Sequence, residues 1–220
     1  MTPAIHSALR VMALGLVAGY VDAVGYVELH GIYTAAMTGN STSFGIALGE
    51  GNSVRAAAVF TVLGLFFLGA LAASLLRRSL RAYRHEWLWI ACLLIVAQCI
   101  HWDHAAEASF HTETLLLTVA MAMQGEVLSR FSGISVQTIV VTNNIVKFAD
   151  NIVGSLYRSK DHSSSFSLTA ALPGLAWASC IAGAFLSVPI RQMTSGFFLF
   201  PVPFLAVLSF FYPASLEAET

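Results

Sequence analysis

Charged residues are scarce in this 220-residue chain, which carries 10% Asp, Glu, Lys and Arg where a soluble domain carries about 25%. Eleven basic residues against twelve acidic ones leave a net charge of −1, so no basic surplus exists for binding nucleic acid. Hydrophobic residues make up 57% of the chain, and the mean hydropathy is +0.73. A domain of this size cannot hide so much apolar surface from water. The composition therefore argues against a soluble enzyme and predicts a membrane protein.

Cysteines and catalytic motifs are also sparse. The three cysteines, Cys92, Cys99 and Cys180, have no paired spacing, which indicates neither a disulfide framework nor a zinc site. We expect all three to be small buried apolar side chains. The chain has no Gly-x-Ser-x-Gly elbow, no phosphate-binding glycine loop and no dinucleotide fingerprint. We therefore expect a protein that is not an enzyme and holds no cofactor or metal.

Long apolar segments dominate what remains. A membrane-spanning helix needs about 20 mainly apolar residues, and six segments are predicted as spans: residues 8–28, 56–76, 87–102, 112–129, 168–189 and 196–212. Two further segments, 32–49 and 134–153, are long but more polar. The first apolar run continues past a plausible signal-peptide cleavage point near Ala18-Gly19, so it is predicted to remain as a span. The chain is therefore predicted to be one all-α transmembrane domain, residues 1–220.

A weak internal repeat relates the two halves of the chain. Residues 34–44 and 138–148 share Thr, Thr, Asn and Phe at four of eleven positions. The same offset aligns Asp22 with Glu126, and the later apolar segments follow in the same order. The repeats cover about 8–103 and about 112–212, and each reads as span, polar segment, span and span.

Positive charge discriminates between two topologies, because short cytoplasmic loops collect Lys and Arg. If both polar segments re-enter, there are six spans, both termini are cytoplasmic, and only Arg55 and Arg191 lie outside. The cytoplasmic basic residues are then Arg10, Arg77, Arg78, Arg81, Arg84, Arg130, Arg158 and Lys160. Three spans per half invert the second half, so the favoured prediction is a 3+3 inverted repeat with two re-entrant or broken polar segments. An eight-span parallel repeat, with six basic residues inside and four outside, is the alternative.

Several motifs resemble a known family. They are Gly19-Tyr-Val-Asp22-Ala-Val-Gly-Tyr26, then Met37-Thr38-Gly39-Asn40, Met123-Gln124-Gly125, and Val136-Gln137-Thr138 through Thr142-Asn143-Asn144. Over essentially its whole length the chain resembles the YoaK-like family of bacterial membrane proteins, DUF1275. The resemblance implies a six-span protein of the bacterial inner membrane with no assigned activity. The chain departs from the expected Thr-Gly-Asn of the second motif in having Asn143 instead of glycine.

Polar residues within membrane-length segments are the candidate functional residues. Asp22 is an acid inside a predicted span, and such residues usually take part in function because an unpaired charge in lipid is costly. The alternative is a structural hydrogen bond to the end of a neighbouring helix. Glu126 is its repeat mate, with an interfacial position as the alternative. Gly39 is predicted to bend the backbone, so that a half-helix beginning after Asn40 directs its N–H groups at an anion. The candidate pathway residues are Asp22, Thr38, Gly39, Asn40, Ser41, Glu126, Thr142, Asn143, Asn144 and Lys147.

The leading functional prediction is a small membrane transporter or channel for an unidentified small polar or anionic solute. Proton coupling through Asp22 is one hypothesis. The expected partners are membrane lipids, the solute and a second copy in a homodimer. The alternative is a non-transporting scaffold or assembly protein, whose polar motifs only join helices. His101 and His104 are interpreted as ordinary residues of an outer loop. The pairs Gly15-x3-Gly19 and Gly45-x3-Gly49 predict close helix packing, within the chain or in a dimer.

Overall fold

The structure, a computed structural model, describes residues 3–80, 86–103, 108–127, 139–158 and 167–210. Within these ranges the chain forms α-helices and no strand, which confirms the all-α prediction. A 3₁₀ turn, Phe197–Leu199, precedes the last helix. The helices are α1 (Pro3–Glu28), α2 (Met37–Gly49), α3 (Ser53–Leu80), α4 (Glu86–Trp102), α5 (Ala108–Val127), α6 (Val141–Arg158), α7 (Leu168–Met193) and α8 (Val202–Phe210).

The apolar helices coincide with the predicted spans. Among the described residues, three helical stretches are long and apolar enough to cross a membrane, Ala4–Glu28, Ser53–Leu76 and Leu168–Met193. Shorter apolar helices cover Trp87–Trp102, Leu115–Gly125 and Phe197–Ser209. A helix satisfies its own backbone polar groups, as lipid requires. The outward surface is also apolar, since Phe60, Phe67 and Phe185 are 62%, 63% and 72% exposed. The chain therefore has the surface of a membrane protein.

The closest helix contact in the described structure joins α1 to α7, and glycine makes it possible. A Cβ added to Gly19 would overlap the backbone of Cys180, and one added to Gly183 would overlap the carbonyl of Leu16. Gly15 faces the side chain of Ser179. Without side chains at these positions the two backbones touch, which favours helix association where lipid supplies no hydrophobic drive. The predicted close packing of Gly15 and Gly19 is thus found inside the chain.

The second glycine pair is left with packing in a dimer as its prediction, and the expectation for the cysteines differs from the structure. Cβ atoms added to Gly45 or Gly49 would meet no other atom within 4 Å, so this second glycine pair does not pack inside the described chain. Cys92 and Cys99 are exposed, and Cys180 is partly exposed. The expectation of three buried cysteines was wrong, because an apolar residue on a membrane helix can equally face outward. Soluble-protein burial tendencies do not transfer to a surface that contacts lipid.

Charged and aromatic side chains cluster at one end of the bundle. Arg191 donates from Nε to Glu28 Oε1 at 2.9 Å, and its guanidinium lies 5.7 Å from the Phe197 ring centroid. The same ring lies 4.9 Å from His101, whose Nδ1 is 3.2 Å from Glu113 Oε1. We call this the Glu28 end. These contacts show that α1, α4 and α7 end at the Glu28 end and that α5 and α8 begin there.

Candidate functional site

The first polar segment folds back along α1. His30 and Gly31 have φ angles of 53° and 83°, a left-handed turn that glycine favours. The hydroxyl of Thr34 then reaches the carbonyl of Val21 at 3.4 Å. Thus residues 29–36 leave the Glu28 end and return alongside α1 for about two turns before α2 begins. We call residues 29–49 the return segment.

Asp22 receives the amino end of α2. Its Oδ1 accepts hydrogen bonds from the backbone N–H groups of Ala35 at 2.7 Å and Ala36 at 3.4 Å. The hydroxyl of Thr34 lies 3.4 Å from the same oxygen. A carboxylate at this position satisfies amides that a helix start leaves unpaired and interacts favourably with the helix dipole. Of the two sequence-level interpretations of Asp22, the hydrogen bond to a neighbouring helix end is the one observed.

Asn40 fixes the return segment from the other side. Its Nδ2 donates to the carbonyl of Tyr33 at 2.7 Å, and its Oδ1 accepts from the N–H of Tyr33 at 3.0 Å. The side chain is 1% exposed, so both polar atoms would be costly to leave unpaired. A Cβ on Gly39 would lie 3.2 Å from the Tyr33 ring. Asn40 therefore binds both backbone groups of Tyr33, and Gly39 leaves room for the Tyr33 ring.

The break in this segment lies earlier than predicted. Helix α2 begins at Met37 and runs through Gly39 and Asn40 without interruption. Gly39 makes no bend, and no half-helix begins after Asn40. The turn is made by His30 and Gly31 instead. The amides at the observed start of α2, those of Ala35 and Ala36, donate to Asp22 within the chain.

Sequence reasoning missed a third contact to the return segment. Arg55, near the start of α3, donates to the carbonyls of His30 at 2.7 Å and Gly31 at 2.9 Å. Tyr26 also stacks on Tyr33, with ring centroids 4.5 Å apart. Of these residues only Tyr26 belongs to a motif quoted from the sequence, and Arg55 was counted only as a loop charge. Side chains from α1, α2 and α3 thus hold one loop.

The hydroxyl groups of α2 bond to their own helix. Ser41 donates to the carbonyl of Met37 at 2.8 Å, and Thr42 donates to that of Thr38 at 3.0 Å. Thr38, Ser41 and Thr42 are all exposed. A hydroxyl bonded to its own helix keeps acceptor capacity for a further partner. These side chains form a polar stripe on the outward face of α2.

The second polar motif lies at the start of α6. Asn144, the repeat mate of Asn40, is likewise 1% exposed, whereas Thr142 is exposed and Asn143 and Lys147 are half-buried. This helix packs on α7, since a Cβ on Gly174 would overlap the Phe148 ring and Asn151 donates to the Ala170 carbonyl at 2.8 Å. Residues 128–138 and the side chain of Glu126 lie outside the described residues. The two predicted motifs therefore sit on different partner helices, α3 and α7.

Metal-ligating residues do not gather in the described ranges. No group of three His, Cys, Asp or Glu side chains is found there. His101 pairs with Glu113, while His104 and Glu107 lie outside the described residues. The pair contributes to the Glu28 end and gives no indication of a metal site.

Comparisons with known proteins identify the family. Residues 11–211 match the family described as protein of unknown function, DUF1275. The chain belongs to this family. It is 25% identical to the UPF0700 transmembrane protein YoaK of Bacillus subtilis (strain 168), over 99% of this chain and 98% of that relative. No solved structure matches the chain. The family resemblance inferred from the motifs is confirmed, and with it a membrane protein in contact with lipid.

Proposed function

We propose that this protein is a small, non-enzymatic membrane transporter or channel for a small polar or anionic solute. The return segment is the observation that carries the proposal. The polar helix α2 begins beside Asp22, about two turns before the end of α1, rather than at the end of the bundle. This is the form of a re-entrant segment. Interrupted segments of this kind mark binding and permeation sites in transporters, because non-helical backbone at membrane depth must be buried in protein or line a cavity.

The proposed architecture is a 3+3 inverted repeat of six spans. Helix directions support it: α1, α4 and α7 finish at the Glu28 end, and their repeat mates α5, α8 and α3 begin there. Packing partners correspond as well, since α1 packs on α7 as α5 packs on α3, and α2 packs on α3 as α6 packs on α7. Each half then contributes one re-entrant helix, α2 or α6.

The proposed orientation puts the Glu28 end outside the bacterial inner membrane and both termini in the cytoplasm. Arg55 and Arg191, the two basic residues assigned outside in the six-span topology, both lie at the Glu28 end. Arg10, near the start of α1, and Arg78, near the end of α3, lie at the opposite end. The eight-span alternative separates Arg55 from Arg191, so the observed grouping favours six spans.

Asp22 is the proposed link between protons and movement. Its negative charge stabilises the N–H groups of Ala35 and Ala36. Protonation would remove that charge and weaken these hydrogen bonds, since bonds to an ionised acceptor are about twice as strong as neutral ones. The amino end of α2 would then be free to move while Asn40 and Arg55 still hold the loop. A solute that follows the polar stripe of α2 would then pass in only one of the two protonation states of Asp22.

A scaffold protein remains the second candidate, and one observation favours it. Asp22 and Asn40 are both engaged with backbone groups of the return segment. Such side chains are sufficiently explained by their role in holding the loop to the bundle. The two candidates differ in whether purified protein moves a solute.

Flux through reconstituted protein tests the proposal. Purified protein in liposomes would be challenged with chloride, nitrate, formate and glycerol, using a trapped pH dye and light scattering. We expect faster flux of at least one probe than in protein-free liposomes, and at least about a tenfold loss of it in Asp22→Asn. Glu50→Gln, an exposed acid at the end of α2, is the matched control. Wild-type flux equal to that of empty liposomes for all probes would favour the scaffold.

Cysteine labelling tests the topology independently. Single cysteines replace Ser53 at the start of α3 or Tyr157, which is 72% exposed near the end of α6, in a background without the three native cysteines. The inverted six-span arrangement predicts that a membrane-impermeant maleimide labels them from opposite sides. Labelling of both from the same side would support the eight-span parallel repeat.

A further inference from the structure

A deep apolar groove runs between α1, α7 and α8, away from the return segment. It has a volume of about 680 Å³. Its walls include Leu9 and Leu16 of α1, Leu175 and Ala182 of α7, and Phe204 of α8. These residues belong to apolar helices, so the groove faces the acyl chains of a bilayer rather than water.

Away from its His6 and Arg10 end, the groove wall in the described residues is apolar except for Ser179. Ser179 is the hydroxyl residue among the lining side chains, and it donates to the carbonyl of Leu175 at 2.6 Å. Its hydrogen is therefore already used within α7. A hydrated solute entering here would lose its water without compensation, whereas a hydrocarbon chain would lose nothing.

Basic residues stand at one end of the same groove. His6 and Arg10 line it on α1, and no acidic residue is among the lining residues in the described part of the chain. Arg10 lies six residues after Ala4, the first residue of the candidate span, which is about 9 Å along a helix axis. The arginine side chain is long enough to reach the level of the lipid headgroups from that depth.

An apolar groove with a cationic mouth matches one class of molecule in its surroundings. We propose that the groove binds a single anionic phospholipid of the bilayer, with an acyl chain along α7 and α8 and its phosphate beside Arg10. Basic pockets between membrane helices on the cytoplasmic side bind anionic headgroups in this way. The site is independent of the proposed transport function, because neither Asp22 nor Asn40 lines it.

The test measures lipid retention by native mass spectrometry of the detergent-purified protein. Phosphatidylglycerol and phosphatidylethanolamine with the same acyl chains are titrated separately. Ala178→Phe fills the groove from an exposed position on α7, and Arg10→Gln removes the charge. The matched controls are Ala72→Phe and Arg78→Gln, two exposed positions on α3 outside the groove. Thermal unfolding checks that each variant remains folded.

We expect one phosphatidylglycerol per chain, bound at least about tenfold more tightly than phosphatidylethanolamine. Ala178→Phe and Arg10→Gln should each weaken binding by about tenfold, while both controls bind like the wild type. Equal affinity for the two lipids would overturn the charge recognition. Undiminished binding by Ala178→Phe, or an equal loss in Arg78→Gln, would show that the lipid binds elsewhere. Dimers in the wild type that disappear in Ala178→Phe would identify a second copy as the occupant.

Discussion

The α1–α7 seam and the return segment both pack on α1, and they are held in different ways. In the seam, Gly19 and Gly183 let two backbones touch over several turns. In the return segment, the loop is held by individual hydrogen bonds from Asp22, Asn40 and Arg55. A seam of many small contacts moves only as a whole, whereas a loop held by three side chains can be released step by step.

This difference suggests one rigid region and one less tightly held region within the same small protein. Interhelical packing in lipid depends on close van der Waals contact, so the seam has no partially open form of comparable energy. The proposed transport requires that the return segment exchange one hydrogen bond at a time while the others hold. Transporters need both kinds of region, a rigid bundle and an element with two arrangements.

The largest expected effect is at the seam. Gly19→Ala should destabilise the protein by about 1–3 kcal/mol, because the new methyl group overlaps the backbone of Cys180 and cannot be relieved by a rotamer change. Unfolding in detergent by heat or dodecyl sulfate measures the loss. Gly45→Ala is the matched control, since its added methyl meets open space and alanine favours helix by up to about 1 kcal/mol. Equal loss in both variants would mean that the seam is not closely packed.

The next effect concerns the two polar residues that hold the loop. Asp22→Ala and Asn40→Ala should each cost about 1–3 kcal/mol, because buried amide and carbonyl groups lose their partners. The double variant should lose less than the sum, because Asp22 and Asn40 hold neighbouring backbone groups of residues 33–36, so losing one contact already loosens the other.

A double-mutant cycle by thermal unfolding measures that coupling. Thr61→Ala serves as the control, because Thr61 is exposed and bonds only the Ala57 carbonyl of its own helix. Its change should stay within about 0.5 kcal/mol. Strictly additive losses for Asp22 and Asn40 would mean that they stabilise separate parts of the protein.

The sequence was most informative where one residue type has one physical use. Apolar runs predicted the six apolar helices found among the described residues, because length and composition alone mark such helices. Gly15 and Gly19 predicted a close contact, since a missing side chain at this spacing has few other roles in a membrane helix. Gly45 and Gly49 have the same spacing as Gly15 and Gly19, but within the described chain they face open space. The spacing predicts close packing without showing which helix is the partner, in the chain or in a dimer.

The candidate site was predictable in its members but not in its connections. Asp22 and Asn40 stand out as polar residues in apolar surroundings. Their partners are backbone groups of Tyr33, Ala35 and Ala36, and any residue type supplies those. The turn at His30 and Gly31 was missed because Gly31 and Gly39 carry the same signal, and the sequence does not show which glycine has a positive φ. A loop held through its backbone leaves little trace in its own sequence.

The smallest effect on global stability is expected at Arg55, and it probes how the loop opens. Arg55→Gln removes the guanidinium from the carbonyls of His30 and Gly31. Because this contact lies at the partly exposed Glu28 end, the stability loss should stay below about 1 kcal/mol. Hydrogen exchange of residues 29–36 should nevertheless accelerate, while that of α7 stays unchanged, as expected for local opening. Arg78→Gln, an exposed arginine at the other end of the bundle, should change neither. Faster exchange in α7 together with the loop would mean that the return segment opens only with the whole bundle. Protonation of Asp22 could then not release the amino end of α2 by itself.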